Sequence, residues 1–161
     1  LMALEGIRAL KNALPAIVQQ PTDIKARSNA LYGAWLCGSV LGSVGMALHH
    51  RLCYTLGGSF ALPHAETHAI LLAHTAAYNA QAAKELLAPV TELFGGELGG
   101  GLYDFAKSLG APMALKDLGL AEADLDRAAD LALQNPYWNP RPIEREAVRE
   151  LLQRAWSGTR P

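Results

Sequence analysis

GMALHHRLCYTLGGSFALPHAETHAILLAHTAAYN, residues 45–79, decides how this chain is read. All five histidines lie inside it, at positions 49, 50, 64, 68 and 74. The Gly57-Gly58 pair reads as a turn dividing the stretch into two helical runs. His50 and Tyr54 are four residues apart on one face of the first run. His64 and His68 are paired in the same way on the second, because residues four apart stack along a helix. If those faces meet, several imidazoles converge on one cleft. Pro63 starts the second run and puts His64 in its first turn. There the unpaired backbone N–H groups favour an anion such as a carboxylate. A His-x-x-x-His pair can also hold a metal, since both rings leave the same face. Spacing alone does not separate that reading from hydrogen-bonded helix histidines, and His74 reads as a core or surface residue.

Outward from this stretch the sequence is helical. Residues 1 to about 20 carry a helical apolar period at Leu4, Ile7, Leu10 and Leu14, with Pro15 restarting a turn. The period is already running at Leu1, which suggests a chain cut from something longer. Pro21-Thr22-Asp23 is a break, with Thr22 or Asp23 as the next cap. Residues 30–48 contain no charge. That length could span a membrane, but four glycines and two serines dilute it, and a buried central helix is the preferred reading. Residues 81–93 form a further helix around Pro89, and GGELGGG at 95–101 reads as a flexible connector. A short helix over 102–109 stops at Gly110. Residues 125–134 are amphipathic, with Leu125, Ala128, Ala129 and Ala132 on one side. NPYWNPRP at 135–142 must be extended or turned, and its two aromatics call for cover. A last helix starts at Pro142, with Ile143, Ala147, Leu151 and Ala155 as its stripe, and ends at Gly158. No period-two strand stands out. The fold class is all-α, with seven or eight helices.

Composition narrows the function. Half of the 161 residues are hydrophobic, 18% are charged and the formal net charge is −1. No basic run exists, which removes the electrostatic footing for nucleic-acid binding. Cys37 and Cys53 are too few for a disulfide framework and suit reduced thiols in a cytoplasmic setting. The first ten residues show no signal-peptide pattern.

HHRLCYTLGGSFALPHAETHAILL and the later NPYWNPRP resemble the helical domain of the iron-containing alcohol dehydrogenase superfamily, which has a dehydroquinate synthase-like fold. Within it they are most similar to maleylacetate reductases. The likeness covers essentially the whole of residues 1–161, taken as one C-terminal helical domain. It implies that a nucleotide-binding α/β domain lies upstream of residue 1. It implies reduction of maleylacetate, and by extension chloromaleylacetate, to 3-oxoadipate with NADH or NADPH in the breakdown of aromatic compounds. The helical half would hold the small dicarboxylate. His49, His50, His64 and His68 are then the candidate catalytic residues, supplying hydrogen bonds, positive charge and a proton. His50 and His64 occupy the family's metal-ligand positions, for iron or zinc if a metal is bound. Tyr54 stands where the family often has histidine, near the expected nicotinamide ring. Arg51 is a further candidate to assist a carboxylate. A homodimer is expected, because apolar surface at the cleft calls for cover. The alternatives are a metal-dependent alcohol or glycerol dehydrogenase domain, and a non-catalytic helical binding module.

Overall fold

A computed structural model describes residues 1–161 in full. The chain is all-α, with eight α-helices, two short 3-10 turns and no strand. The helices are α1 (Met2–Gln19), α2 (Ile24–Leu41), α3 (Leu48–Phe60), α4 (His64–Ala80), α5 (Lys84–Leu93), α6 (Leu98–Ser108), α7 (Leu125–Leu133) and α8 (Arg145–Ser157). They fall into two compact units, Leu1–Gly45 and Met46–Pro161.

The first unit is an α1–α2 hairpin. Asp23 caps α2 by accepting a hydrogen bond from the Ala26 N–H at 3.0 Å. The uncharged run does not give a buried helix over 30–48. α2 ends at Leu41, and only Ala26, Gly33 and Leu36 are buried on it. Its packing relies on small residues, not on apolar bulk. A Cβ on Gly33 would lie 2.8 Å from Leu10 Cγ and 2.9 Å from the Gly6 carbonyl oxygen, so the two backbones meet at glycine. Leu31 and Trp35 remain 72% and 63% exposed, so an uncharged run here is not a buried one. No helix is long and apolar enough to cross a membrane.

The second unit holds the large core. Leu48, Leu52 and Leu56 recur every fourth residue on α3 and are fully buried. They pack with Ile70, Leu71 and Tyr78 of α4, with the apolar stripe of α7, and with Val148, Leu151, Leu152 and Ala155 of α8. The α7 stripe is the one the sequence predicts. The α8 stripe is shifted: α8 starts at Arg145, Val148 and Leu152 are fully buried, and Ile143 and Ala147 pack only partly.

Two glycine readings are corrected. Gly57 and Gly58 lie inside α3, and the helix breaks instead at Ala61-Leu62-Pro63. Ala61 takes the left-handed conformation, at φ 55°, and Pro63 sits at the N-cap position of α4 without a capping side chain. GGELGGG is also only half a connector. Gly95 and Gly96 have positive φ and form the turn. Glu97 then caps α6 by accepting the Gly100 N–H at 2.8 Å, and Gly99 to Gly101 are helical. Gly99 is where α6 touches α4, since a Cβ there would lie 2.5 Å from Ala77 Cβ and 3.2 Å from the Ala73 carbonyl oxygen. Gly99→Ala is therefore expected to destabilise the protein by about 1–3 kcal/mol through overpacking, although alanine is the better helix former. Urea unfolding checks this; an unchanged or raised midpoint would show that α6 yields without cost.

The 135–142 segment lies on the helices, as its prolines and aromatics suggest, but only one aromatic finds cover. Tyr137 is half-buried and Trp138 is 75% exposed. Asn139 ties the segment down. Its Oδ1 accepts from the Leu48 N–H at the start of α3, at 3.3 Å, and from Asn79 Nδ2 on α4. Its Nδ2 donates to Asn79 Oδ1 at 2.7 Å. One side chain thus links the start of α3 to α4.

Candidate functional site

The site is built by the α3–α4 hairpin. Each helix residue turns the chain by about 100°, so α3 presents three adjacent strips. Leu48, Leu52 and Leu56 face the core, His49 and Cys53 lie on its border, and His50 with Tyr54 faces outward. On α4, His64, His68 and Thr75 line one strip, beside the core strip of Thr67, Ile70, Leu71, His74 and Tyr78. Packing α3 on α4 brings the two histidine strips together.

The rings converge on His68. Its centroid lies 4.3 Å from that of His64, 5.0 Å from His49 and 5.5 Å from His50. His49 and His50 are 5.3 Å apart, edge to face. Tyr54 is exposed, 6.1 Å from His50, and its hydroxyl donates to Met46 Sδ at 3.1 Å. All four candidate histidines therefore share one cluster, with Tyr54 at its rim. His64 is the most open of them, at the first residue of α4, where free backbone N–H groups point outward.

Arg51 is not part of the cluster. Its guanidinium donates to the Asn135 carbonyl at 3.2 Å and stacks 4.6 Å over the Tyr137 ring. One residue beyond His50 the helix has turned toward the 135–142 segment, and these contacts give Arg51 a structural role there.

Two partners were missed in the sequence. His49 Nδ1 lies 2.9 Å from Thr75 Oγ1, and His49 Nε2 lies 3.2 Å from His68 Nδ1 and 3.7 Å from Cys53 Sγ. Thr75 was hidden in an apolar run. The available signal was its place seven residues after His68, two turns along the same face.

Electrostatically the two inner rings, His49 and His68, are held neutral. Burial, then the nearby His68 and His50, hold His49 down at about 3. Burial, then His64 and His50, lower His68. Burial pushes the Cys53 thiol up to about 12. His68 Nε2 is buried without a hydrogen-bond partner. A buried nitrogen left unpaired is costly and invites a proton donor or a cation. The donors present fit zinc or iron, which take imidazole nitrogen readily. His49, Cys53 and His68 bring their ligand atoms within 4.8 Å of one another, while His50 and His64, the ligands the family resemblance implies, each pack against His68.

His74 is separate. It is 3% exposed and its Nε2 has no partner. Burial, then the charge of Arg154, hold it down at about 4, from an ordinary value near 6.5. The unfolded chain therefore takes this proton first on acidification. The stabilisation is full above about pH 6.5, falls by roughly 1.4 kcal/mol per pH unit toward pH 4, and then levels off. Urea unfolding across this range should show a flatter pH slope for His74→Gln than for the wild type. His49 titrates in the same sense in both proteins, so the difference isolates His74; equal slopes would refute it.

Comparison with known proteins places this geometry. Residues 1–156 match the profile described as Fe-containing alcohol dehydrogenase family, C-terminal. Over 161 residues the chain is 61% identical to the maleylacetate reductase of Rhizobium sp. strain MTP-10005, covering 100% of this chain and 46% of the relative. It is 54% identical to the maleylacetate reductase of Pseudomonas sp. strain P51, with the same shares covered. The crystal structure of maleylacetate reductase from Agrobacterium tumefaciens superposes with a TM-score of 0.98 at 63% identity, over 99% of this chain and 46% of that one. A 1,3-propanediol oxidoreductase structure matches with a TM-score of 0.87 at 27% identity, over 96% and 44% of the two chains. The chain thus spans just under half the length of these relatives.

Proposed function

This chain belongs to the Fe-containing alcohol dehydrogenase family, and on that premise we propose that it forms the substrate-side helical half of an NAD(P)H-dependent maleylacetate reductase. The observation that carries the reading is the packing of His49, His50 and His64 around His68 at the start of α4. Maleylacetate carries two carboxylates. The open end of α4, with His64 on it, suits one of them through backbone N–H groups and an imidazole. Reduction to 3-oxoadipate adds one hydride and one proton. The hydride comes from the nicotinamide, held chiefly by polypeptide beyond these residues, with Tyr54 at the rim as its neighbour. The proton comes from the histidine cluster, with His64 and His50 on its accessible side. His49 and His68 are the inner pair that orients them.

In the metal-bound form His50 and His64 would instead hold a zinc or iron ion through their ring lone pairs and would not be the proton donors. When bound, it would polarise a substrate oxygen as a Lewis acid. Exposed Leu31, Trp35 and Val44 support a protein that buries this surface elsewhere, and a homodimer is the expected assembly. Two unpaired cysteines suit the cytoplasm.

The test is oxidation of NADH and NADPH with maleylacetate by the full-length protein, run beside the 161-residue chain alone. Turnover is expected from the first and none from the second. Oxidation of simple alcohols or glycerol without reduction of maleylacetate would move the assignment to a metal-dependent alcohol dehydrogenase. Binding without turnover in the full-length protein would make it a binding module.

A further inference from the structure

The buried side of the histidine cluster contains a hydrogen-bond chain whose protons can be counted. Thr75 Oγ1 lies 3.0 Å from the Leu71 carbonyl oxygen and 3.2 Å from that of Leu72, and 2.9 Å from His49 Nδ1. A threonine has one hydroxyl proton and can also accept. A buried threonine four residues after a helix carbonyl readily gives its proton to that carbonyl. Its lone pairs then face His49, so His49 Nδ1 must carry the proton. His49 Nε2 is left as an acceptor, and it lies 3.2 Å from His68 Nδ1 and 3.7 Å from Cys53 Sγ. His68 therefore donates from Nδ1, and its Nε2 is bare.

The opposite arrangement can be written. Thr75 would donate to His49 Nδ1, His49 Nε2–H would donate to His68 Nδ1, and His68 Nε2 would carry a proton. That arrangement leaves two carbonyl contacts of Thr75 unused. It also strands an N–H at His68 Nε2, the buried atom that has no partner. An orphaned buried N–H is rarer than an under-used acceptor, so the first arrangement is preferred.

We propose that Thr75, acting through His49, is a positioning residue that fixes the tautomer of His68, holding Nε2 unprotonated among the rings of His50 and His64. Because Nε2 is buried, His68 offers its lone pair only to neighbouring groups of the cluster, and a partner there must bring a proton or a positive charge. A carboxylate oxygen of the substrate cannot sit there and is left to the outer histidines. The tautomers belong to the resting protein, so the proposal stands whether or not maleylacetate is the substrate.

Nitrogen-15 NMR on the full-length protein, labelled at histidine and treated with a chelator, reads it directly. In the wild type, His49 and His68 are expected to show the Nδ1–H pattern, with pyridine-like Nε2 signals. Thr75→Val keeps the shape but removes the acceptor. It is expected to move His68 Nε2 from the pyridine-like to the pyrrole-like range, although no hydrogen bond joins Thr75 to His68 directly. Thr75→Ser restores the wild-type pattern. Nε2–H at His68 in the wild type would overturn the proposal; it is also the form required by a cation held between His49, Cys53 and His68 Nδ1. An unchanged His68 signal in folded Thr75→Val would overturn it equally. The wild-type spectrum decides the matter even if that variant fails to fold.

Discussion

Replacing His64 with alanine in the full-length protein is expected to lower kcat/KM for maleylacetate by about 10²–10⁴, the usual contribution of a positioned proton donor. The same change should leave the unfolding midpoint nearly untouched. His64 is exposed at the first residue of α4, and surface substitutions away from caps and cores usually stay within about 0.5 kcal/mol. Its ring contributes no core packing; its near neighbour is His68, 4.3 Å away between centroids. The pairing of a large kinetic effect with a small thermodynamic one separates a chemical role from a structural one. His64→Gln should recover part of the binding of a carboxylate, because the amide still donates a hydrogen bond, but not the proton. Its KM should approach the wild-type value while kcat stays low. A loss for His64→Ala below about tenfold, or roughly 1.4 kcal/mol of barrier, would remove His64 from the chemistry.

How far the sequence leads here depends on whether each signal is local. The α3–α4 hairpin was legible because leucines four apart and histidines four apart are patterns carried by single helices. Its break was misplaced because Gly57-Gly58 is a strong turn signal on its own. Each glycine in a helix interior costs about 1 kcal/mol relative to alanine, and buried Leu56, in the same turn, offsets that through tertiary packing. Nothing in the structure requires glycine at position 58. The same limit explains Gly99, whose partner Ala77 lies on another helix. It explains α2 as well, where the absence of charge does not bury the helix. In the site, the face shared by His64 and His68 and that shared by His50 and Tyr54 are properties of one helix each. The bonds from His49 to Thr75 and to His68 depend on how far α3 slides along α4, and no single-helix pattern records that.

That slide is set by the leucines, and Leu52→Ala is the change expected to disturb it most. Leu52 is fully buried in the middle of the α3 stripe, between Leu48 and Leu56, with α4, α7 and α8 contributing to the same core. Removing its isobutyl group takes away apolar contacts and leaves a cavity that helices on several sides cannot all collapse into. The expected loss is about 2–5 kcal/mol, against roughly 5–15 kcal/mol for a whole domain. Leu72→Ala is the control, since Leu72 is 46% exposed and has little packing to lose. Leu52→Met conserves most of the volume and should cost less than about 1.5 kcal/mol. Urea unfolding of the three variants gives the ranking. His49 lies on the strip next to Leu52, so the same cavity should loosen the 3.2 Å contact between His49 and His68 in the protein that remains folded. If Leu52→Ala cost no more than Leu72→Ala, the α3 stripe would not be what holds the two histidine strips in register, and the geometry of the cluster would need another cause.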